Sequence, residues 1–162
     1  MTDFKGIRGW KVQTLSTDPV ASQVLGGTWA SGGNLNTARS SGGGAGVLQT
    51  AAVVFGGQTP TAVANTESYN GSAWTELNDL NTARSQASRG QGGTYTSAIY
   101  GMGPGATTVE SWDGSNWTEI AEFNTARYNH GMSGASNTSS LVFGGEAPPG
   151  YQALTETWNG TS

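Results

Sequence analysis

The sequence contains no cysteine and a single histidine, and these shortages exclude several kinds of chemistry. Without cysteine the chain forms no disulfide and offers no thiolate nucleophile or thiolate metal ligand. His130 alone cannot supply the two or three imidazoles that a histidine metal site gathers. No set of converging carboxylates, and no nucleophile with an oriented base, can be assembled either. We therefore predict no metal site, no cofactor, no catalytic residue and no enzyme.

Charge and long apolar runs are also scarce. Charged residues make up 11 % of the chain and the net charge is −4, so the basic stripe of a nucleic-acid-binding domain is missing. No stretch approaches the roughly 18 apolar residues of a membrane-spanning helix. The opening MTDFKGIRGWKVQT lacks the apolar core of a secretory signal peptide. We expect a soluble protein with no nucleic-acid partner, no membrane insertion and no signal peptide.

Glycine is abundant instead, with 26 residues, and serine, threonine and asparagine are frequent. Leucine, isoleucine and valine are sparse, while six tryptophans, five tyrosines and four phenylalanines supply much of the apolar bulk. This composition favours many short strands joined by turns over long helices. We predict an all-β fold.

Four sequence marks recur in register, which predicts a repeat architecture. The tetrapeptide NTAR begins at Asn36, Asn81 and Asn124, at intervals of 45 and 43 residues. The other marks are an apolar strand that runs into glycine (51–57, 97–103, 140–146), a Glu-x-aromatic-Asn/Asp-Gly element (67–71, 110–114, 156–160) and a tryptophan (Trp29, Trp74, Trp117).

Each unit of the repeat predicts four antiparallel strands. The small residues of GGGAGVLQ (42–49) suit an innermost strand, because they let several strands converge. The apolar AAVVF (51–55) predicts a second strand that is buried on both faces, and ANTESYN (64–70) predicts the third. An Asn-Gly or Asp-Gly pair then predicts a tight turn whose glycine has a positive φ. AWTEL, NWTEI and, near the start of the chain, TWASGG predict the outermost strands.

Units of about 43–46 residues with four strands each are typical of β-propeller blades. The order of the marks resembles the kelch repeat, with an arginine and sometimes a histidine before the inner strand, a di-glycine after the second, an aromatic residue in the third and a tryptophan opening the fourth. Those positions are held here by Arg127 and His130, Gly144-Gly145, Tyr69 and Trp74.

The kelch resemblance covers residues 28–162 and implies blades at about 39–80, 84–123 and 127–160. The second blade departs from the pattern, because Gly101-Met102-Gly103 stands where the others have a di-glycine.

The third blade ends after its third predicted strand, and its tryptophan strand lies near the start of the chain. We predict that residues 28–35, which carry Trp29, form the closing strand. Propellers typically have about four to eight blades, so three blades alone would leave two apolar faces exposed to water. We therefore predict a six-bladed homodimer in which the Trp29 strand of each chain completes the last blade of its partner. A larger ring, or a different partner, is the alternative.

Several residues recur once per blade, which favours a structural role because an active site is usually built once. The arginines and glutamates are expected to pair within or between blades, and His130 is expected to make a structural hydrogen bond. These repeat positions are Arg39, Arg84, Arg127, Glu67, Glu110, Glu156, His130, Trp29, Trp74 and Trp117.

Residues 1–27 lie outside the repeat and form an N-terminal arm, which is either an anchor to a larger assembly or a disordered leader. The residues available for attachment are Phe4, Ile7, Arg8 and Trp10. The opening MTDFKGIRG…STDP, together with GTWASGGNLNTAR and TESYNGSAWTE, resembles the kelch-like repeat proteins encoded by tailed phages of marine bacteria. That resemblance implies a virion component, assembled in the host cytoplasm, whose arm contacts other virion proteins.

We therefore expect a non-enzymatic virion structural or adhesion protein that binds a host-surface glycan. The loops between second and third strands (58–66, 104–109, 146–155) differ most among the repeats, and variable loops on a rigid scaffold often carry recognition. Candidate ligand-binding residues in them are Tyr151, Gln58, Thr59, Thr107 and Glu146. The rival roles are a capsid decoration or tail component that binds only other virion proteins, and an enzyme of unknown type.

Overall fold

The computed structural model describes residues 28–87 and 91–161. Two compact units divide the chain, Met1–Ser31 and Gly32–Ser162. Thirteen β-strands and no helix occur in the described part of the second unit, which confirms the all-β prediction. A helix long and apolar enough to cross a membrane is therefore not found in the described ranges.

The first strand group is an antiparallel meander of four strands. Its register places Val54 opposite Glu67 and Phe55 opposite Thr66. The strands are β1 (Gly43–Leu48), β2 (Ala51–Phe55), β3 (Thr66–Tyr69) and β4 (Trp74–Glu76).

The second strand group repeats this meander with the same register. Tyr100 lies opposite Glu110, as Val54 lies opposite Glu67 in the first group. Gly101 lies opposite Val109, which makes Gly101 equivalent to Phe55. The strands are β5 (Gln91–Thr94), β6 (Ser97–Gly103), β7 (Ala106–Trp112) and β8 (Trp117–Ile120).

The third strand group has three strands in the described chain. Val142 lies opposite Glu156 and Phe143 opposite Thr155, which continues the equivalence. A small hairpin is inserted before the last strand, and residues 28–35 form no strand in this single copy. The strands are β9 (Gly131–Ser136), β10 (Ser139–Phe143), the hairpin β11 (Glu146–Ala147) and β12 (Gly150–Tyr151), and β13 (Thr155–Trp158).

The three groups are joined along their first strands, which run parallel to one another. Gly44 of β1 pairs with Gln91 of β5, which pairs with Ser133 of β9. Glycine at Gly43 lets the second group approach the first, because a Cβ there would lie 2.5 Å from the ring of Tyr100. The arrangement is consistent with part of a β-propeller.

Apolar side chains pack between neighbouring groups. Between the first and second groups, the ring of Phe55 lies 4.8 Å from that of Tyr100 and 4.9 Å from that of Trp117. Burial raises the pKa of Tyr100 to about 12, against the opposing effect of the Arg84 charge. Between the second and third groups, Ile99, Met102, Val109, Met132 and Val142 form a second buried cluster.

The turns confirm the hairpin prediction. Gly71, Gly114 and Gly160 have φ values of 96°, 97° and 92°. Asn70 and Asp113 close two of these turns by accepting backbone hydrogen bonds on their side-chain oxygens. Those bonds also lower the pKa of Asp113.

One glycine position of the repeat is filled by methionine. Met102 has a φ of 65°, close to the values of 61° and 64° at Gly56 and Gly144, and its side chain is fully buried. The segment 101–103 therefore keeps the backbone shape of the di-glycine and adds a buried side chain to the core. This conformation has an energetic cost, because positive φ is unfavourable for residues other than glycine.

Candidate functional sites

A buried polar network ties each NTAR segment to the third strand of its own group. In the second group, Glu110 accepts hydrogen bonds from the backbone N–H groups of Asn81 and Thr82, at 2.7 and 3.2 Å. It also accepts from Asn81 Nδ2 at 2.9 Å and from Arg84 Nη2 at 2.6 Å. Asn81 Nδ2 donates in addition to the carbonyl of Trp117, at 3.0 Å, so one amide joins the motif to the third and fourth strands.

The first group repeats the network with looser geometry. Glu67 accepts from the backbone N–H of Asn36 at 2.7 Å. Arg39 Nη1 lies 2.9 Å from Glu67 Oε1, but the guanidinium makes no hydrogen bond within the described residues, so the contact is an ion pair only. Asn36 Nδ2 donates to the carbonyl of Trp74 at 3.3 Å.

The third group has the same network without its fourth strand. Glu156 accepts from Arg127 Nη1 at 2.7 Å and from the backbone and side chain of Asn124, at 2.8 and 2.9 Å. Its side chain is 15 % exposed, whereas those of Glu67 and Glu110 are fully buried. The described chain provides no fourth strand whose carbonyl could complete the bonds of Asn124.

This network joins each NTAR segment to the third strand of its group, because each glutamate lies beside an arginine and accepts a backbone hydrogen bond. Within residues 28–87 and 91–161, no three histidine or acidic side chains gather closely enough to hold a metal ion.

His130 is buried beside the third network. Both ring nitrogens make no hydrogen bond within the described residues, so the structural hydrogen bond expected for this histidine is not found there. The ring instead lies tilted beside that of Phe123, at 6.1 Å between centroids, and a Cβ added at Gly145 would lie 3.0 Å from the Cβ of His130. Burial and, to a smaller extent, the Arg127 charge lower the pKa of His130 to about 4, against the opposing effect of Glu156.

Two of the five predicted ligand-binding residues come together. Tyr151 and Glu146 line an open hollow of about 420 Å³ with Tyr128 and the turn 147–150. Tyr151 is 89 % exposed. Tyr128 was missed from sequence; it pairs with Glu146 through two backbone hydrogen bonds of 3.0 and 2.9 Å, a bridge that no local pattern reveals.

The other candidates lie elsewhere. Gln58 and Thr59 are in the loop after β2, where Gln58 bridges Ser40 and Ala62. Thr107 was expected in a loop, but β7 begins at Ala106, so Thr107 is a strand residue whose hydroxyl contacts Glu122 at 2.5 Å. Positions 104–105 alone connect β6 to β7, because the backbone turns tightly there. The attachment candidates Phe4, Ile7, Arg8 and Trp10 lie outside the described residues.

The third strand group presents an uncovered apolar face. Leu141 and Phe143 are 36 % and 44 % exposed, whereas the equivalent Val53 and Phe55 of the first group are each 1 % exposed. The difference arises because the second group covers Phe55, while no described element covers Phe143. Among the described strands, β13 pairs only with β10 and therefore lies at the edge of the sheet.

A cleft of about 190 Å³ lies between the second and third groups, beside β13. Most of its lining is apolar, and two glutamates, Glu122 and Glu156, also line it. The lining includes Val109, Ile120, Phe123, Met132, Val142 and Trp158.

Comparison with known proteins gives no relationship on which to base a function. No protein-family model matches the chain, and no curated protein matches it.

Proposed function

We propose that this chain is a non-enzymatic structural protein of a phage particle, a kelch-like propeller that displays a binding surface. Each copy supplies three blades, which are the three strand groups. Two copies close a six-bladed ring, and residues 28–35 of each supply the fourth strand to the third group of the other. Support for the virion setting comes from the resemblance of the opening and the repeats to phage proteins.

The observation that carries the ring is the uncovered face of the third group. Phe143 and Leu141 are partly exposed, although their equivalents in the first group are buried under the neighbouring group. An apolar surface of this kind on a repeat protein is normally covered by the next repeat. A second copy supplies that repeat, because its first group has the same shape as the second group that covers Phe55.

The ring is tested by light scattering across a dilution series. A mass near twice 16.6 kDa that persists on dilution supports it. A folded species of 16.6 kDa contradicts the ring, and a much larger mass favours a larger assembly.

We further propose that the hollow beside Tyr151 binds a host-surface glycan. An exposed aromatic ring next to a carboxylate suits a sugar. The apolar face of the sugar can stack on the aromatic ring, and the carboxylate can accept hydrogen bonds from the sugar hydroxyls. Tyr151 and Glu146 supply these groups.

A glycan array tests this site. Reproducible binding that Tyr151→Ala and Glu146→Gln each reduce, and that Tyr95→Ala leaves unchanged, supports adhesion. Tyr95 is a matched control because it is a tyrosine that is 45 % exposed outside the hollow. Failure to bind any glycan favours the rival role, in which the ring contacts only other virion proteins.

A further inference from the structure

We infer that the cleft between the second and third strand groups is a socket for the indole ring of Trp29 from a second copy. This inference rests on the ring of two copies proposed above. It adds that Trp29 is the side chain that one copy inserts into the other, and that the cleft is where it binds.

The spacing of the three tryptophans makes Trp29 equivalent to the other two. Trp74 stands seven residues before Asn81, Trp117 seven before Asn124, and Trp29 seven before Asn36. Trp74 and Trp117 open the fourth strands of the first and second groups. Trp29 is therefore the opening residue of a fourth strand, and the third group is the one that needs it.

The first inter-group space shows what occupies the equivalent position. There the indole of Trp117 packs 4.9 Å from Phe55 and 5.2 Å from Trp112, and its Nε1 donates to Thr66 Oγ1 at 2.9 Å. Leu77 and Leu80 belong to the same apolar cluster. A tryptophan thus fills the space between the first and second groups.

The cleft is the same position, one group further along, with no indole in it. By strand register and spacing from NTAR, its lining residues Trp158, Ile120 and Phe123 are equivalent to Trp112, Leu77 and Leu80. Gly101 stands where the first group has Phe55, which leaves additional room. An apolar cavity of about 150 Å³ accommodates benzene, so about 190 Å³ with an open side suits an indole.

Trp29 is available for this site. Its side chain is fully exposed in the single copy, unlike the buried Trp112 and Trp117. Among the described residues Trp158 has no fourth-strand ring beside it, whereas its equivalents do: the rings of Tyr69 and Trp74 lie 4.9 Å apart, and those of Trp112 and Trp117 lie 5.2 Å apart. One exposed tryptophan and one incomplete aromatic pair therefore match.

The register of the exchanged strand follows from the other two groups. Tyr69 faces Trp74 and Trp112 faces Trp117 across the third and fourth strands. Likewise Ser68 faces Thr75 and Ser111 faces Thr118. In the third group this register places Trp29 opposite Trp158 and Ala30 opposite Thr157. The backbone carbonyl of Trp29 then accepts from Asn124 Nδ2, as those of Trp74 and Trp117 do from Asn36 and Asn81.

Cross-linking between differently substituted copies tests the socket directly. Copies with Ala30→Cys are co-expressed with copies that carry Thr157→Cys and a distinguishing tag; the natural chain contributes no thiol. Residues directly opposite in antiparallel strands have Cα atoms about 4.5–5.5 Å apart, within the range of a disulfide. We expect a covalent pair that contains one copy of each kind. Thr155→Cys in place of Thr157→Cys is the register control, and we expect at least roughly tenfold less cross-linking because it lies about 6.6 Å along the strand.

The outcomes separate failure of the socket from failure of the ring. A doubled mass by light scattering without the Ala30–Thr157 cross-link leaves the ring standing and overturns the socket. A cross-link that forms only within a single copy carrying both substitutions overturns the exchange. A folded single copy with no cross-link overturns both proposals.

A second variant measures what the indole contributes. Trp29→Ala should raise the dissociation constant of the pair by about 30-fold or more, as expected for a buried tryptophan at the centre of an interface. Trp29→Phe should have a smaller effect, and Thr28→Ala, whose equivalent in the first group is Ala73, should have none. Because Trp29 is fully exposed in the single copy, these substitutions leave the fold of that copy intact. An unchanged constant for Trp29→Ala would contradict the socket.

Discussion

Arg84 and Glu110 form the shortest ion pair between NTAR and the third strand, with 2.6 Å between Nη2 and Oε1. Both side chains are buried, so removal of one charge leaves the other without compensation. We expect Glu110→Gln to lower the free energy of unfolding by about 3–5 kcal/mol, measured by urea denaturation. Glu119→Gln is the matched control, because Glu119 faces Glu110 across the strands but is exposed. Equal effects of the two variants would contradict a structural role for the network.

The burial of His130 predicts that the free energy of unfolding falls at acid pH. Its pKa is lowered to about 4 in the folded chain, against about 6.5 when unfolded, so the unfolded chain binds the proton more readily. The stabilisation from the neutral ring is complete above pH 6.5 and is lost as the pH falls towards 4.

The matching variant is His130→Ala, since Ala87 holds the equivalent place three residues after Arg84. We expect the unfolding free energy of the natural chain to fall more steeply than that of the variant between pH 6.5 and 4. The difference should approach 1.4 kcal/mol per pH unit within that window, as for one proton. Parallel curves from urea denaturation at several pH values would contradict the assignment.

The exposed position of Phe143 predicts that a charge introduced there will weaken association between copies. A glutamate there would place an unpaired charge in the interface that the ring requires, so Phe143→Glu should weaken association by at least roughly 30-fold. Light scattering should then show the single-copy mass, with the circular dichroism spectrum unchanged. Tyr95→Glu serves as control, because Tyr95 has nearly the same exposure, 45 % against 44 %, at the β5–β6 turn. Association that survives Phe143→Glu would exclude this face from the interface.

Alanine substitutions at three glycines distinguish the cost of backbone strain from the cost of a steric clash. Gly57 has a φ of 105°, and an added Cβ would lie 2.6 Å from the carbonyl of Ser40. Gly105 has a φ of 78° in open space, and Gly150 has open space without a positive φ. For substitution by alanine we expect almost no loss of stability at Gly150, about 1–2 kcal/mol at Gly105 and more at Gly57. Thermal unfolding of the three variants checks the order, and a loss at Gly150 equal to that at Gly57 would refute it.

The features that recur in the sequence could be predicted from it. The strands, the positive φ of Gly71 and its equivalents, and the partnership of Arg84 with Glu110 all follow from marks that appear three times. Repetition reveals such features because each copy of the unit must satisfy the same backbone and the same buried charge.

Features that occur once were missed or misplaced. Tyr128 reaches the hollow only through its bridge to Glu146, and that hairpin is an insertion without a counterpart in the other groups. Thr107 was misplaced because the connection after β6 is much shorter than in the first group. The sequence position of His130 predicts a hydrogen bond, and none is found among the described residues, where the Phe123 ring lies 6.1 Å away. The cleft could not be predicted, since it depends on how two groups pack.

One edge of β13 is unpaired among the described strands, and this edge affects how copies of the chain can associate. A free strand edge can pair with an extended segment of another chain, and in the proposed exchange that segment is residues 28–35 of the next copy. When the rotation between successive copies returns to the start, the chain of donations ends in a closed ring; when it does not, the same contact continues without limit as a filament. In the proposed exchange, the angle at which one copy meets the next therefore decides between a closed ring and fibrous growth.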